Sequence, residues 1–511
     1  MRRYPIGVQD FGKIREDNLV YVDKTQIIHT LITTGYFYFL SRPRRFGKSL
    51  LLSTIKAIFE GKKELFRKLW IEDNWDWNKK LPVIHLKLSS INYQELGLYE
   101  ALNKEISSIS IDKNIELLET DLKDKFKELI VKTAAGGKVV ILVDEYDKPI
   151  IDYLDDIAIL NKNKAVFKNF YSVLKDADPH IRFLLITGVS KFSKVSVFSD
   201  LNNLNDLTFH PRYNTLVGLT QEEVEHTFQQ EIQEMQVDNP AFLEEMKNWY
   251  NGYSWDGKKT LYNPFSILRF MEARVFQNFW FETGTPTFLI NTIRKKNGFD
   301  FEETETGIQD LSDFVVEDLR PVPLLFQTGY LTIKSYNAED QLYHLTYPNK
   351  EVRSSMLAYL LGAYRNNNAG ESLPLAVHLR KALQQNDIAA AVTVINTAFA
   401  AIPYDLWRGA TELHYHALVH LLFSLLGAYI NSEVHTSNGR CDAIVQTTAH
   451  VYALEFKLDA TADEALQQII NKNYLAPFAL DGRVKIAVGI NFSSQTKKVA
   501  DYLTKELTKS T

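Results

Sequence analysis

The chain is 511 residues long, carries 58 lysines and arginines against 63 aspartates and glutamates for a net charge of −5, and has one cysteine. That length implies roughly two to four domains, and 25 tyrosines with 30 phenylalanines supply ample apolar side chain for their cores. A single Cys441 excludes an internal disulfide and any cysteine-based zinc site and points to the reducing cytosol, while the net acidity excludes binding nucleic acid by global attraction.

Taken in chain order, the first informative element is Tyr36 to Leu40, an aromatic-rich run that reads as a buried strand. It leads through Ser41 into Arg42-Pro43-Arg44-Arg45-Phe46-Gly47-Lys48-Ser49, and Leu50 to Glu60 then reads as a helix. A phosphate-binding loop needs strand, loop and helix in that order. Loop N–H groups and the helix N-terminus then point at one place, where an anion gains hydrogen bonds and the positive end of the helix dipole. Arg42, Pro43, Arg44, Arg45, Phe46 and Gly47 would wrap the phosphates of a nucleotide, Lys48 would reach the β- and γ-phosphates, and Ser49 would ligate Mg²⁺. Arg42 stands where the GxxxxGK[ST] pattern has its first glycine, which requires the loop to open with φ negative.

A GKS tripeptide alone is common; its weight here comes from an acidic strand end further along the chain. Pro82 to Leu88 reads as a strand, with a helical stretch after it to about Ala134. Lys138 to Val143 is a β-branched run of the kind buried on both faces of a parallel sheet, and it ends in Asp144 and Glu145. The carboxyl ends of such strands are where open α/β sheets bind ligands. Asp144 would hold Mg²⁺ through water, and Glu145 would act as the base that orients the attacking water. After a helical pattern from Asn161 to Lys175, Ile181 to Thr187 reads as another buried strand, with Thr187 as a sensor beside the γ-phosphate. Lys191 and Arg212 are either transition-state cations or plain surface charges. Alternating strands and helices predict a parallel, right-handed, doubly wound sheet.

From about Gly218 to Gln385 the chain reads as mainly helical, with a few strands. The local basic patches are Arg42/Arg44/Arg45, Arg294/Lys295/Lys296 and Lys497/Lys498. The longest apolar stretch, Ala417 to Ile430, is too short to span a bilayer, so a cytoplasmic protein with no membrane partner is expected.

From about Tyr404 a second pattern begins. Leu406 to Tyr429 reads as a helix, Ile430–His435, Arg440–Thr447 and Val451–Lys457 as strands, Ala460 to Ala476 as a helix and Val484 to Ile490 as a last strand, giving αβββαβ. Side chains alternate along a strand, so Glu455 and Lys457 share one face and Leu454 and Phe456 the other. If Asp442 on the neighbouring strand points the same way, two carboxylates and the Phe456 carbonyl can hold a hard cation such as Mg²⁺. Lys457 would then orient the attacking water and steady charge developing on phosphate. Glu412 in the preceding helix is a further candidate ligand, and Gln467 or Gln468 could touch phosphate, Gln467 sharing a helical face with Tyr474. His414, His416 and His420 read as structural. The alternative for Glu455 and Lys457 is a surface pair on an edge strand.

These stretches resemble a two-part bacterial family, an AAA-ATPase-like domain fused to a C-terminal nuclease-like domain of the PD-(D/E)XK superfamily. The matching motifs are Pro5–Phe11, Tyr21–Thr25, Arg42–Leu51, Leu142–Ile150, Trp249–Tyr253, Tyr262–Ser266, Leu325–Leu331, Gly439–Asp442, Leu454–Leu458 and Ala465–Ile469. In that family the phosphate loop begins with arginine, as here. The resemblance implies an ATP-binding domain at 1–217, a mainly helical lid and winged-helix-like region at 218–400, and a nuclease-like domain at 401–511. It implies ATP and Mg²⁺ as cofactors, nucleic acid, DNA first, as partner, and leaves homo-oligomers open. Two functions are compatible with it: an ATP-regulated nuclease, or a regulatory or scaffold ATPase whose nuclease-like domain binds without cutting. A transport or chaperone ATPase is disfavoured by Asp442, Glu455 and Lys457.

Overall fold

A computed structural model describes residues 2–191, 203–280, 289–290, 293, 301–302, 304–312, 320–365, 369–400, 402, 412–427, 431–434 and 442–507. Several expected features lie outside them: the Arg294/Lys295/Lys296 patch, residues 406–411 of the last long helix, and 439–441 with the cysteine. The chain divides into two compact units, residues 1–284 with 302–349, and residues 285–301 with 350–511. Residues 218–284 and 302–349 therefore share a unit with the phosphate-loop sheet, and 350–400 share one with the C-terminal sheet.

The first unit is built on a five-stranded parallel sheet in the order β2-β3-β4-β1-β5. Its strands are β1 (Phe37–Ser41), β2 (Val83–Lys87), β3 (Val139–Asp144), β4 (Ile181–Gly188) and β5 (Asn205–Asp206). Every residue of β1 and β3 is buried, as two-sided cover by helices requires. The order sets β4 between β1 and β3, so Thr187 lies between the phosphate loop and the acidic strand end.

Helices Gln221–Thr227, Gln229–Asp238, Phe242–Tyr250 and Pro264–Ala273 enclose an aromatic core of Phe228, Phe242, Tyr250 and Phe270, against which Val20 and Val22 of the N-terminal segment also pack. Beyond them come β6 (Thr304–Gly307), the helix Pro321–Thr328, β7 (Thr332–Asn337) and β8 (Leu342–Thr346); the strands form an antiparallel sheet ordered β6-β8-β7.

The second unit carries helices Lys350–Arg365, Ser372–Gln384, Ile388–Ala400 and Glu412–Leu426 and a five-stranded mixed sheet ordered β13-β12-β11-β10-β9. These strands are β9 (Asn431–Val434), β10 (Ala443–Gln446), β11 (His450–Leu458), β12 (Val484–Ser493) and β13 (Lys498–Leu507). The helix Ala462–Lys472 connects β11 to β12, which run parallel. The expected αβββαβ order is thus present with one strand added. β13 pairs antiparallel with β12 along an edge of the sheet, and of its residues Val499 alone is buried. Backbone pairing, with little side-chain burial, places it there.

Candidate functional site

The first site gathers at the carboxyl ends of β1, β3 and β4. Gly47, at φ +93°, closes the loop in the left-handed region and caps the helix Lys48–Phe59 without a side-chain hydrogen bond, so the first helical N–H groups remain available to an anion. Arg42 has no positive φ, but Arg45 (φ +68°) and Glu145 (φ +52°) do. Two left-handed residues without glycine's freedom, one in the loop and one after the acidic strand, are stored strain of the kind concentrated at functional sites.

The Lys48 amine is buried and donates to the carbonyls of Arg42 and Pro43, both at 2.8 Å. Burial pulls its pKa below the ordinary lysine range, and Asp147, Asp144 and Glu145 partly oppose that pull. The Thr187 hydroxyl donates to the Asp144 carboxylate at 2.8 Å, so in this structure it orients the acid. Asp147 accepts from the N–H groups of Val189 (2.9 Å) and Ser190 (2.6 Å), and burial pushes its carboxyl up to about 6. Gly188 makes that clasp feasible, since a Cβ there would come within 2.6 Å of the Tyr146 ring.

Two expectations change. Arg42 is no part of a surface basic patch: it is buried, with its guanidinium 4.0 Å from the centre of the Trp255 ring, while Arg44 and Arg45 are exposed. Lys191 is no loose surface charge either, being ion-paired with Asp206 at 2.5 Å, mostly out of solvent. Pro43 supplies a carbonyl to Lys48, the Phe46 ring faces Tyr253 and Trp255, and the Phe46 carbonyl accepts from the Gly218 N–H at 3.2 Å.

Sequence reasoning missed an open apolar pocket beside the loop, about 660 Å³ with its mouth included. Val20, Val22, Leu50, Val217 and Pro264 are among its walls, and Gly47 lies at its edge. Lys24 also lines it, its amine held at 2.6 Å by both Glu223 oxygens and at 3.0 Å by the Thr215 carbonyl. The signal was the Tyr21–Thr25 motif, where a lysine sits among residues bound for the core.

The second site lies on β11. The pairing of Ala443 with Leu454 across β10 and β11, extended by one residue, sets Asp442 opposite Glu455 on one face. An Asp442 oxygen accepts from the Phe456 N–H at 2.8 Å. Lys457 reaches back to Glu455 at 3.3 Å and donates to the Gln468 side-chain oxygen at 2.7 Å. The Gln468 amide donates to the same Glu455 oxygen and approaches the Tyr474 hydroxyl at 3.2 Å.

Gly489, the partner of Glu455 on β12, lets the helix Ala462–Lys472 lie close enough for this network. A Cβ there would come within 2.3 Å of the Ala462 carbonyl oxygen and 2.6 Å of the Leu466 nitrogen. Gln468, not Gln467, therefore meets the site; the Gln467 amide turns to Asp463 at 3.5 Å on the exposed side. The helix stops at Lys472 with Asn473 at φ +51°, so the helical spacing does not extend to Tyr474.

Glu455 is only 2% exposed, and its second oxygen has no donor among the described residues. Burial first, and Asp442 second, push its carboxyl up to about 7. A buried carboxylate oxygen facing another carboxylate and lacking a donor fits a divalent cation bound between the two. Among the described residues no group of three or more His, Cys, Asp and Glu suits a metal, so other ligands would come from backbone carbonyls, water or substrate. Glu412 opens its helix, and its side chain lies outside the described part of the structure.

Comparison with known proteins adds three findings. A family model described as predicted AAA-ATPase matches residues 5–198, and one described as PD-(D/E)XK nuclease superfamily matches residues 410–502. A protein of Azotobacter chroococcum mcd 1, named "Uncharacterized protein in vnfD 5'region", is 38% identical over 520 residues, covering 99% of this chain and 99% of its own length. No described helix is long and apolar enough to cross a membrane.

Proposed function

Since this chain belongs to the family that joins a predicted AAA-ATPase domain to a PD-(D/E)XK nuclease superfamily domain, we propose that it is an ATP-regulated, Mg²⁺-dependent nuclease acting on DNA phosphodiester bonds. The observation that carries the nuclease half is the buried Glu455 oxygen without a donor, facing Asp442 and flanked by Lys457.

In the first site, Gly47 and the N–H groups of the helix Lys48–Phe59 receive the phosphates, and the Lys48 amine exchanges two loop carbonyls for the β- and γ-phosphates. Ser49 and Asp144 would hold Mg²⁺, with Asp144 aimed by Thr187. Glu145 orients the water that attacks the γ-phosphate. The apolar pocket next to Gly47 takes the adenine ring.

In the second site, Asp442 and Glu455 would hold the metal, with Glu412 as a further candidate ligand. A metal held there would supply charge neutralisation at the scissile phosphate and a lowered pKa for its water. Lys457, braced by Gln468, orients the attacking water and stabilises the negative charge that develops on phosphate oxygen. The protein is cytoplasmic on this reading, and its three functional regions are 1–217, 218–400 and 401–511.

One observation favours a second reading, a scaffold ATPase that binds nucleic acid uncut: the described residues bring only two carboxylates to this place. The test is incubation of purified protein with supercoiled and single-stranded DNA, with and without Mg²⁺ and ATP, beside Asp442→Ala and Lys457→Ala. Cleavage by the wild type and by neither variant supports the nuclease. Equal cleavage by all three exposes a contaminant, and no cleavage under any metal or nucleotide leaves the scaffold.

A further inference from the structure

The phosphate loop is gripped from outside as well as from within. Arg42 stands at the end of β1, and its Nη1 donates to the carbonyls of Ser41 (2.8 Å) and Thr208 (2.9 Å). Its guanidinium lies over Trp255, while Nε and Nη2 are buried and have no acceptor among the described residues. A glycine at this position would carry no such cost. Further contacts reach the same loop. The Trp280 indole and the Asn263 amide donate to the Arg44 carbonyl at 3.1 and 3.5 Å. Phe46 stands edge-on to Tyr253 and Trp255. Gly329, at φ +90°, lies so near Pro43 that a Cβ would come within 2.6 Å of its ring.

The Trp255 segment is in turn stitched to β7. The Ser254 N–H donates to the Thr332 hydroxyl at 2.7 Å; that hydroxyl donates back to the Ser254 carbonyl at 3.1 Å, which also receives the Ile333 N–H at 3.3 Å. Lys48, at the other end of the chain of contacts, is bound to the carbonyls of Arg42 and Pro43. A nucleotide phosphate that takes the Lys48 amine must free those two peptide units.

We propose that Arg42 is a positioning residue that couples nucleotide occupancy of the loop to the three-stranded sheet, through Trp255 and Ser254 to Thr332. The inference rests on the reading of the first site as an ATP site. Freed from Lys48, the Arg42–Pro43 peptide units shift the guanidinium against the Trp255 ring, and the Ser254–Thr332 bonds carry the shift to β7. Coupling of this kind is reciprocal, so whatever engages that sheet changes nucleotide affinity by the same factor.

The full-length chain tests this with a non-hydrolysable ATP analogue and Mg²⁺, reading analogue affinity by calorimetry and backbone hydrogen exchange at Ile333 and its neighbours in β7. In the wild type, bound analogue is expected to change exchange of the Ile333 amide about tenfold. Arg42→Gly restores the glycine of the usual loop pattern and, compared at analogue concentrations that calorimetry shows to saturate each protein, should lose the change in β7. Trp255→Leu should behave like Arg42→Gly, and Trp255→Phe, which keeps a ring for the guanidinium, should retain the wild-type response. The Trp255 pair carries the test alone if circular dichroism shows Arg42→Gly unfolded. An unaltered β7 response in Arg42→Gly and in Trp255→Leu overturns the coupling while leaving the ATP site standing. Failure of the wild type to bind analogue, with Lys48→Ala no different, removes the ATP reading and the coupling with it.

Discussion

Asp147 is the acid that the run Asp144-Glu145-Tyr146-Asp147 conceals. It faces inward, accepts two backbone N–H groups from the segment after β4, and shares the interior with Lys48. Its carboxyl is raised from 3.8 to about 6, so between about pH 4 and 6 the folded chain holds a proton that the unfolded chain releases. Its contribution is therefore full below about pH 4 and is lost as pH rises through 6. Asp147→Asn keeps an acceptor and removes the titration, so urea unfolding of this variant should show a flatter pH dependence than the wild type across that window. Asp147→Ala leaves two buried N–H groups bare and should cost about 2 kcal/mol or more. On β11 the equivalent lesson concerns Gln468. It accepts from Lys457 and donates to Glu455, so Gln468→Ala should slow DNA cleavage about tenfold to a hundredfold. Gln467→Ala, with its amide on the exposed side, should leave the rate unchanged, and a time course with both variants on one substrate decides between them.

The legibility of an element depended on whether its own burial required its pattern. β3 was plain because a strand covered on both faces must be apolar throughout, and Val139 to Val143 are. β13 was not, because Lys498 to Leu507 sits at a sheet edge with mostly exposed side chains, and backbone pairing with β12 leaves little mark on residue choice. Arg42 was read as a phosphate-loop residue within a local basic patch, because a lone buried guanidinium is improbable from composition; Trp255 and the Thr208 carbonyl, distant in sequence, make sense of its burial. The choice between Gln467 and Gln468 turned on where the helix stops, at the left-handed Asn473, and on which way it faces, set by contact with β12. Gly489 governs that contact. Gly489→Val would drive methyl groups into the backbone of the helix Ala462–Lys472, at a cost of about 2 kcal/mol or more. Thermal unfolding should show a lowered midpoint, and cleavage should fall further than stability alone explains, since Gln468 would be displaced from Glu455 and Lys457.

On the scale of the whole molecule, the two units carry one site each, and the second reaches back well before the nuclease match. Within it, the Tyr452 hydroxyl donates to the Leu383 carbonyl at 2.7 Å, the Asn396 side chain accepts from the Val499 N–H at 2.8 Å, and Phe399 stacks on Phe492. A fragment from about Tyr404 to Thr511 lacks all three partners, so it should unfold at a lower temperature than a fragment starting at Lys350, by circular dichroism of both. DNA binding by a chain of net charge −5 has to rest on local cations such as Lys457, Lys497 and Lys498, and its affinity should drop steeply between low and physiological salt. The regulatory link between the sites is the last point to test, because each can be disabled alone. Asp442→Ala removes a proposed metal ligand from the second site and leaves the Lys48 loop intact, so ATP turnover should persist without cleavage. Lys48→Ala should lose ATP binding and retain only the cleavage that wild type shows without nucleotide. Measured together on one DNA with Mg²⁺, ATP should change the cleavage rate of wild type and have no effect on Lys48→Ala. An equal ATP effect on both would mean that nucleotide acts somewhere other than the loop, and ATP regulation through this site would be lost even if both activities survived.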